Sequence, residues 1–199
     1  TTSIILNITI MYDTSATTYT GTQIASLVAN TVSNYNNSDL KSFNTPFRHS
    51  KLLGLIDNTD TSILNSIATV TIAKLFTPTL SSSTDYNLNF NNKFYNPVSG
   101  YNAAAGGIIA STGFYLNNVT TKTYFFDDDG SKNLRIYYLL SGTRTYINST
   151  AGTVDYENGK ITISPVTITG VANVDGVSST RIRITTLPNS NDITPVRNQ

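Results

Sequence analysis

Cysteine is absent from this 199-residue chain, which removes disulfides, thiolate zinc sites and cysteine nucleophiles together. Histidine occurs once, at His49, so no multi-histidine metal site can be built. Glutamate is as scarce: Glu157 stands alone, which rules out a glutamate pair for glycoside hydrolysis and leaves an aspartate pair open. Charge is thin throughout. Lys, Arg, Asp and Glu make up 13% of residues, against about 25% in ordinary soluble domains. The 13 basic and 12 acidic residues leave a formal net charge of +1 with no basic stripe, so the electrostatic footprint expected of a nucleic-acid binder is missing. The longest apolar stretch, Ala103 to Ala110, is broken by glycines and falls far short of the ~20 residues that span a bilayer. The first residue is Thr1 rather than Met and no charged leader with an apolar stretch opens the chain, as expected of an internal or processed piece of a longer polypeptide.

What is abundant is uncharged and polar. Asn, Thr and Ser dominate, a composition that suits a subunit packed among neighbours in a large assembly and equally suits an extracellular β-module. Twelve tyrosines and eight phenylalanines add the residue types enriched at the centres of protein interfaces.

The first third reads as strand, helix, helix, strand. Ile4, Leu6, Ile8 and Ile10 alternate with Ile5, Asn7 and Thr9, the period of a half-buried strand. Thr20-Gly21-Thr22-Gln23 has the spacing of a capping box. Ile24, Leu27, Val28, Val32 and Tyr35 behind it share one helical face. Thr45-Pro46 predicts a second helix start, with proline at the first position. Val70 and Ile72 mark a strand to about Phe76. Beyond Pro78 the pattern changes to short β-type runs and turn signals. Thr123–Phe126 and Leu134–Tyr138 flank Asp127-Asp128-Asp129-Gly130, a hairpin connection. Val154–Tyr156 and Ile161–Ile163 flank Glu157-Asn158-Gly159-Lys160, where Asn158-Gly159 suits a type I′ turn. Arg181–Thr185 is a last strand, and Ser81 to Asp85 and the long Gly/Ala-rich 96–107 read as loops. The expected fold is therefore α+β, an N-terminal β-α-α-β unit followed by a β-rich antiparallel subdomain. The expected domains are 1–80, an assembly unit, and 81–199, the β-rich part with a C-terminal tail.

The search for chemistry returns little. Walker, dinucleotide-binding and Gly-x-Ser-x-Gly patterns are absent. His49 lies in Phe47-Arg48-His49-Ser50-Lys51, where the neighbouring cations would lower its basicity and no nearby carboxylate orients it; it reads as a surface or interface histidine. The Asp127–Asp129 run lacks the closing glutamate of a calcium loop and reads as a solvated turn. No catalytic, cofactor-binding or metal residue is expected, and the chain is not expected to be an enzyme.

Three stretches carry a family signal. Phe43-Asn44-Thr45-Pro46-Phe47-Arg48-His49-Ser50-Lys51-Leu52 leads to Ile56-Asp57-Asn58-Thr59-Asp60-Thr61-Ser62-Ile63. Thr69-Val70-Thr71-Ile72-Ala73-Lys74 is followed by Pro78. Gly152 to Ile161 precedes the terminal Asn191-Asp192-Ile193-Thr194-Pro195-Val196-Arg197-Asn198-Gln199. Together these resemble the C-terminal region of the ring-forming baseplate wedge protein of T-even-type contractile-tailed phages, a relative of the baseplate J-like proteins. The resemblance covers most of the chain in its order of elements, but 81–148 matches nothing that can be named. It implies a structural role in the virion's tail baseplate, assembled in the host cytoplasm. The implied partners are a second copy, as a dimer within each wedge, and other baseplate wedge subunits. Wedges would be held in a ring around the hub and would rearrange on sheath contraction. No cofactor, nucleic acid, membrane or small-molecule substrate is implied. The residues expected at a subunit contact are Phe43, Phe47, Arg48 and Lys51. The competing expectation is a receptor- or glycan-binding tail module, resting on the β-rich half, the tyrosines and the 96–107 loop.

Overall fold

The alternation that opens the sequence becomes β1 (Ser3–Tyr12), and the computed structural model, which describes residues 2–41 and 45–195, continues with α1 (Gly21–Tyr35). The capping box forms as predicted: Gln23 N–H donates to Thr20 Oγ1 and Thr20 N–H to Gln23 Oε1. Ile24, Val28 and Tyr35 then fall on the buried face of α1. A π-turn at Asn36–Leu40 ends the helix. α2 (His49–Asp57) follows, burying Leu52 and Ile56, and then β2 (Ile63–Phe76).

The rest of the chain is strand. β3 (Ser83–Asn89), β4 (Ala110–Ser111), β5 (Phe114–Leu116), β6 (Val119–Asp128), β7 (Asn133–Leu140), β8 (Thr143–Asp155), β9 (Lys160–Val171) and β10 (Ile182–Thr186) are joined by turns and one short 3₁₀ turn at Ala103–Ala105. One sheet has the order β1-β2-β10-β4, and the other runs β3-β9-β5-β6-β7-β8, with β8 also pairing β9. That extra pairing closes β5 through β9 into a five-stranded barrel. Every pairing with a resolved register is antiparallel. Closure has a local requirement at Gly152, which lies opposite Leu134 of β7 and Ile163 of β9. A Cβ at this position would overlap Thr162 O, so β8 can approach β9 only where no side chain projects. Phe114 and Phe126 stack with centroids 4.6 Å apart, and with Leu134, Ile161, Ile163 and Ile168 they are fully buried.

The expected fold class is corrected by this arrangement. The protein is mostly β, 47% strand against 17% helix, built around the barrel; an α+β pairing of a β-α-α-β unit with a separate antiparallel subdomain does not form. The physical reason is long-range pairing. β2 runs fourteen residues, and its last five pair with β10 from the far end of the chain. The strands around the helices therefore belong to a sheet that later sequence completes. Three local expectations change too. α2 starts at His49, and Arg48, not Thr45-Pro46, occupies its N-cap position. Of the four residues that join β8 to β9, only Gly159 takes a left-handed φ, at +61°, so the connection is a four-residue loop and not a type I′ turn. Ser83–Asp85, expected in a loop, opens β3.

By packing, the chain forms two compact units. One holds Thr71–Asn189 with the first residues of the chain, and the other holds Leu6–Val70 with the segment from Ser190.

Candidate contact surface and a buried aspartate pair

In the helical unit, the cluster around α2 is organised by residues remote in sequence. Phe47 exchanges backbone hydrogen bonds with Ile193, at 2.9 and 3.1 Å. Its ring is buried and meets Tyr35 edge-on at 6.1 Å. The first α2 amide, which has no partner within the helix, donates to Asp192: His49 N–H to Oδ1 is 2.8 Å. Arg48 Nη1 reaches the other carboxylate oxygen at 3.0 Å. The His49 backbone N–H first, then the Arg48 guanidinium, lowers the Asp192 pKa below the usual carboxylate value. Asp192 thus caps α2 from the other end of the chain, the role that sequence spacing assigned to Thr45. Lys51 pairs with Asp39 and lies 5.8 Å from the Tyr35 ring centroid. His49 is half-buried, with Nε2 2.9 Å from Ala68 O.

The four expected contact residues therefore have different placements. Phe47 is a core ring. Arg48 and Lys51 present more than half of their side chains to solvent, at 55% and 54%. Phe43 lies outside the described residues.

The barrel unit contains an arrangement that the sequence reading missed. Asp127 and Asp128 are not in a solvated turn; they end β6 and are buried. Asp127 receives Arg135 Nε at 2.9 Å, Arg144 Nη1 at 3.1 Å and the Tyr146 hydroxyl at 2.8 Å. Burial raises its pKa, against the opposing pull of Tyr146 and the two guanidiniums. Asp128 accepts the amides of Ile108, Ile109 and Gly130 at 2.8, 2.7 and 3.2 Å and the Tyr156 hydroxyl at 2.6 Å. Burial, and then the Asp128 carboxylate, pushes the Tyr156 hydroxyl pKa well up. Arg135 also donates to Ala103 O and Asp128 O, and Arg144 to Ala105 O. The 96–107 loop is thereby tied to the barrel by its Ala103 and Ala105 carbonyls, and the two residues that follow it by their amides. Gly107, at φ +66°, is needed here because a Cβ would overlap the Asp128 carboxylate.

The oxygens of this pair are taken up by structural donors. Among the described residues no group of three His, Cys, Asp or Glu side chains is placed to hold a metal ion. The arrangement anchors a loop.

Residues 2–75 match the family model described as baseplate structural protein gp6, C-terminal domain III. That similarity supports a structural role in a phage baseplate. No curated protein matches the chain. The matched span takes in β1, α1, α2 and nearly all of β2, and with them Phe47, Arg48 and Lys51. The barrel and its aspartates lie beyond it.

One signal for the pair was present in the sequence. The alternation of Tyr124, Phe126 and Asp128 continues past Phe126, and extending the hairpin by two residues sets Asp127 opposite Arg135, as observed. The donors from Ile108, Ile109 and Tyr156 left no comparable trace, because they reach Asp128 only through barrel closure.

Proposed function

We propose that this chain is a structural component of a phage tail baseplate wedge. Its contacts with neighbouring subunits hold wedges in a ring around the hub and rearrange on sheath contraction. It pairs with a second copy within a wedge and joins other wedge subunits, in the tail baseplate of virions assembled in the host cytoplasm. It has no catalytic role. The match over residues 2–75 carries this reading. The low charge supports it, and so does the exposure of Arg48 and Lys51, which we assign with Phe43 and Phe47 to the neighbourhood of a subunit contact. The glycan-binding alternative rests on the β-rich half, the tyrosines and the 96–107 loop, which Arg135 and Arg144 hold by its Ala103 and Ala105 carbonyls.

Immunogold labelling of purified virions with antibody against this chain tests the reading. Label at the tail tip is the expected result. Protein present in lysates but absent from purified virions overturns it. Arg48→Glu tests the surface: unchanged self-association and unchanged recruitment into tails remove Arg48 from any contact.

A further inference from the structure

Among the described residues β1 ends its sheet, since the order is β1-β2-β10-β4. Sheet edges expose unpaired N–H and C=O groups, and proteins blunt them with short strands, charges, proline or bulges. The opposite edge follows this rule: β4 is two residues long. β1 does not. Its ten residues, Ser3-Ile4-Ile5-Leu6-Asn7-Ile8-Thr9-Ile10-Met11-Tyr12, include no charged residue, proline or glycine.

The direction of the backbone groups can be read at both ends. Ile5 O accepts from Thr71 Oγ1, and just past the strand Asp13 N–H donates to Ser62 O. Odd-numbered positions therefore turn their polar groups toward β2. Successive residues alternate in direction, so Ile4, Leu6, Ile8 and Ile10 turn theirs to the open edge. The same four side chains lie on the inward face and are only half-buried, with apolar surface that a further strand would cover.

We infer that the occupant of this edge is β1 of a second copy of the chain, paired antiparallel about a two-fold axis at Asn7. An isologous contact requires a self-complementary patch, and the strand is one. With Asn7 facing Asn7, Leu6 meets Ile8 and Ile4 meets Ile10, each as a hydrogen-bonded pair of inward aliphatic residues. On the outer face Ile5 meets Thr9, and the two Asn7 amides meet each other. A shift by one residue would put inward side chains opposite outward ones. The absence of charge along β1 leaves nothing to repel the copy. This inference rests on the assembly reading above and locates its homotypic contact.

The test uses the full chain, which has no native thiol. Sedimentation velocity over a hundredfold concentration range should show a reversible dimer. Asn7→Cys should give a covalent dimer under mild oxidation, because facing residues at a non-hydrogen-bonded position have Cα atoms about 4.5 Å apart, within disulfide reach. Thr9→Cys, equally exposed on the same face, should not cross-link, since it faces Ile5. Asn7→Lys should weaken dimerisation several-fold by setting like charges opposite one another, with an unchanged circular dichroism spectrum. A strict monomer over the whole range overturns the inference. So does a dimer in which Asn7→Cys stays unlinked and Asn7→Lys changes nothing. Neither result alters virion labelling, so failure of the edge contact is distinguishable from failure of the baseplate reading.

Discussion

Asp128→Ala removes the acceptor on which four donors converge, the amides of Ile108, Ile109 and Gly130 and the hydroxyl of Tyr156. Asp128 is 0% exposed, so the donors that remain have little access to water. Each unsatisfied buried donor costs about 1–3 kcal/mol. Partial opening of the loop would rehydrate the Ile108 and Gly130 amides, so the expected loss is about 4–5 kcal/mol. That is a large share of the roughly 5–15 kcal/mol that stabilises a typical domain. Asp128→Asn keeps the shape and one acceptor oxygen but turns an NH₂ toward the other donors, and should cost about 2 kcal/mol. Tyr156→Phe removes one donor and should cost about 1 kcal/mol. Equilibrium urea unfolding measures all three, and hydrogen exchange at the Ile108 and Ile109 amides reports whether the loop has been released. A loss under about 1 kcal/mol for Asp128→Ala, with loop protection intact, would refute the anchoring role assigned to this carboxylate.

Asp192→Ala should cost about 1 kcal/mol, the usual loss for a helix cap, and should raise hydrogen exchange at the His49 amide. The folded pKa of Asp192 is lowered, so its contribution is present above the unfolded value near 3.8 and is lost as pH falls through the folded value; urea titrations of both forms from neutral pH into acid should converge. Asp127 has the opposite sign. Its folded pKa is raised by burial, so the folded state binds the proton more tightly, and stability falls as pH rises from 3.8 through the folded value. Asp127→Asn should lack that fall when both proteins are unfolded in urea across the range. Thr186 Oγ1 is buried with no hydrogen-bond partner among the described residues, so Thr186→Val should stabilise the protein by about 1 kcal/mol in the same assay.

Local periodicity and end chemistry were legible without the structure. The alternation in β1 and the Thr20–Gln23 capping box are short-range patterns, set by steric and hydrogen-bonding rules within a few residues. The sparse charge, single histidine and missing cysteines were legible too, because composition alone limits which sites a chain can build. The stretch around Phe47 carried a family resemblance that the match over residues 2–75 supports at the level of the baseplate.

Tertiary structure decided the rest. The mostly-β architecture depends on β10 pairing β2 and on β5 pairing β9, contacts between segments far apart in the chain. The α2 cap comes from Asp192 because the C-terminal segment runs beside Phe47; Thr45 and Pro46 had the right spacing but not the right position. Asp127 and Asp128 look like turn residues in one dimension, since aspartate before glycine commonly marks a solvated turn. They are buried because Arg135 and Arg144 converge on one and three backbone amides with Tyr156 on the other. A buried carboxylate is stable only where donors converge on it, and convergence of five separate segments is a property of the closed barrel that no local stretch of sequence contains.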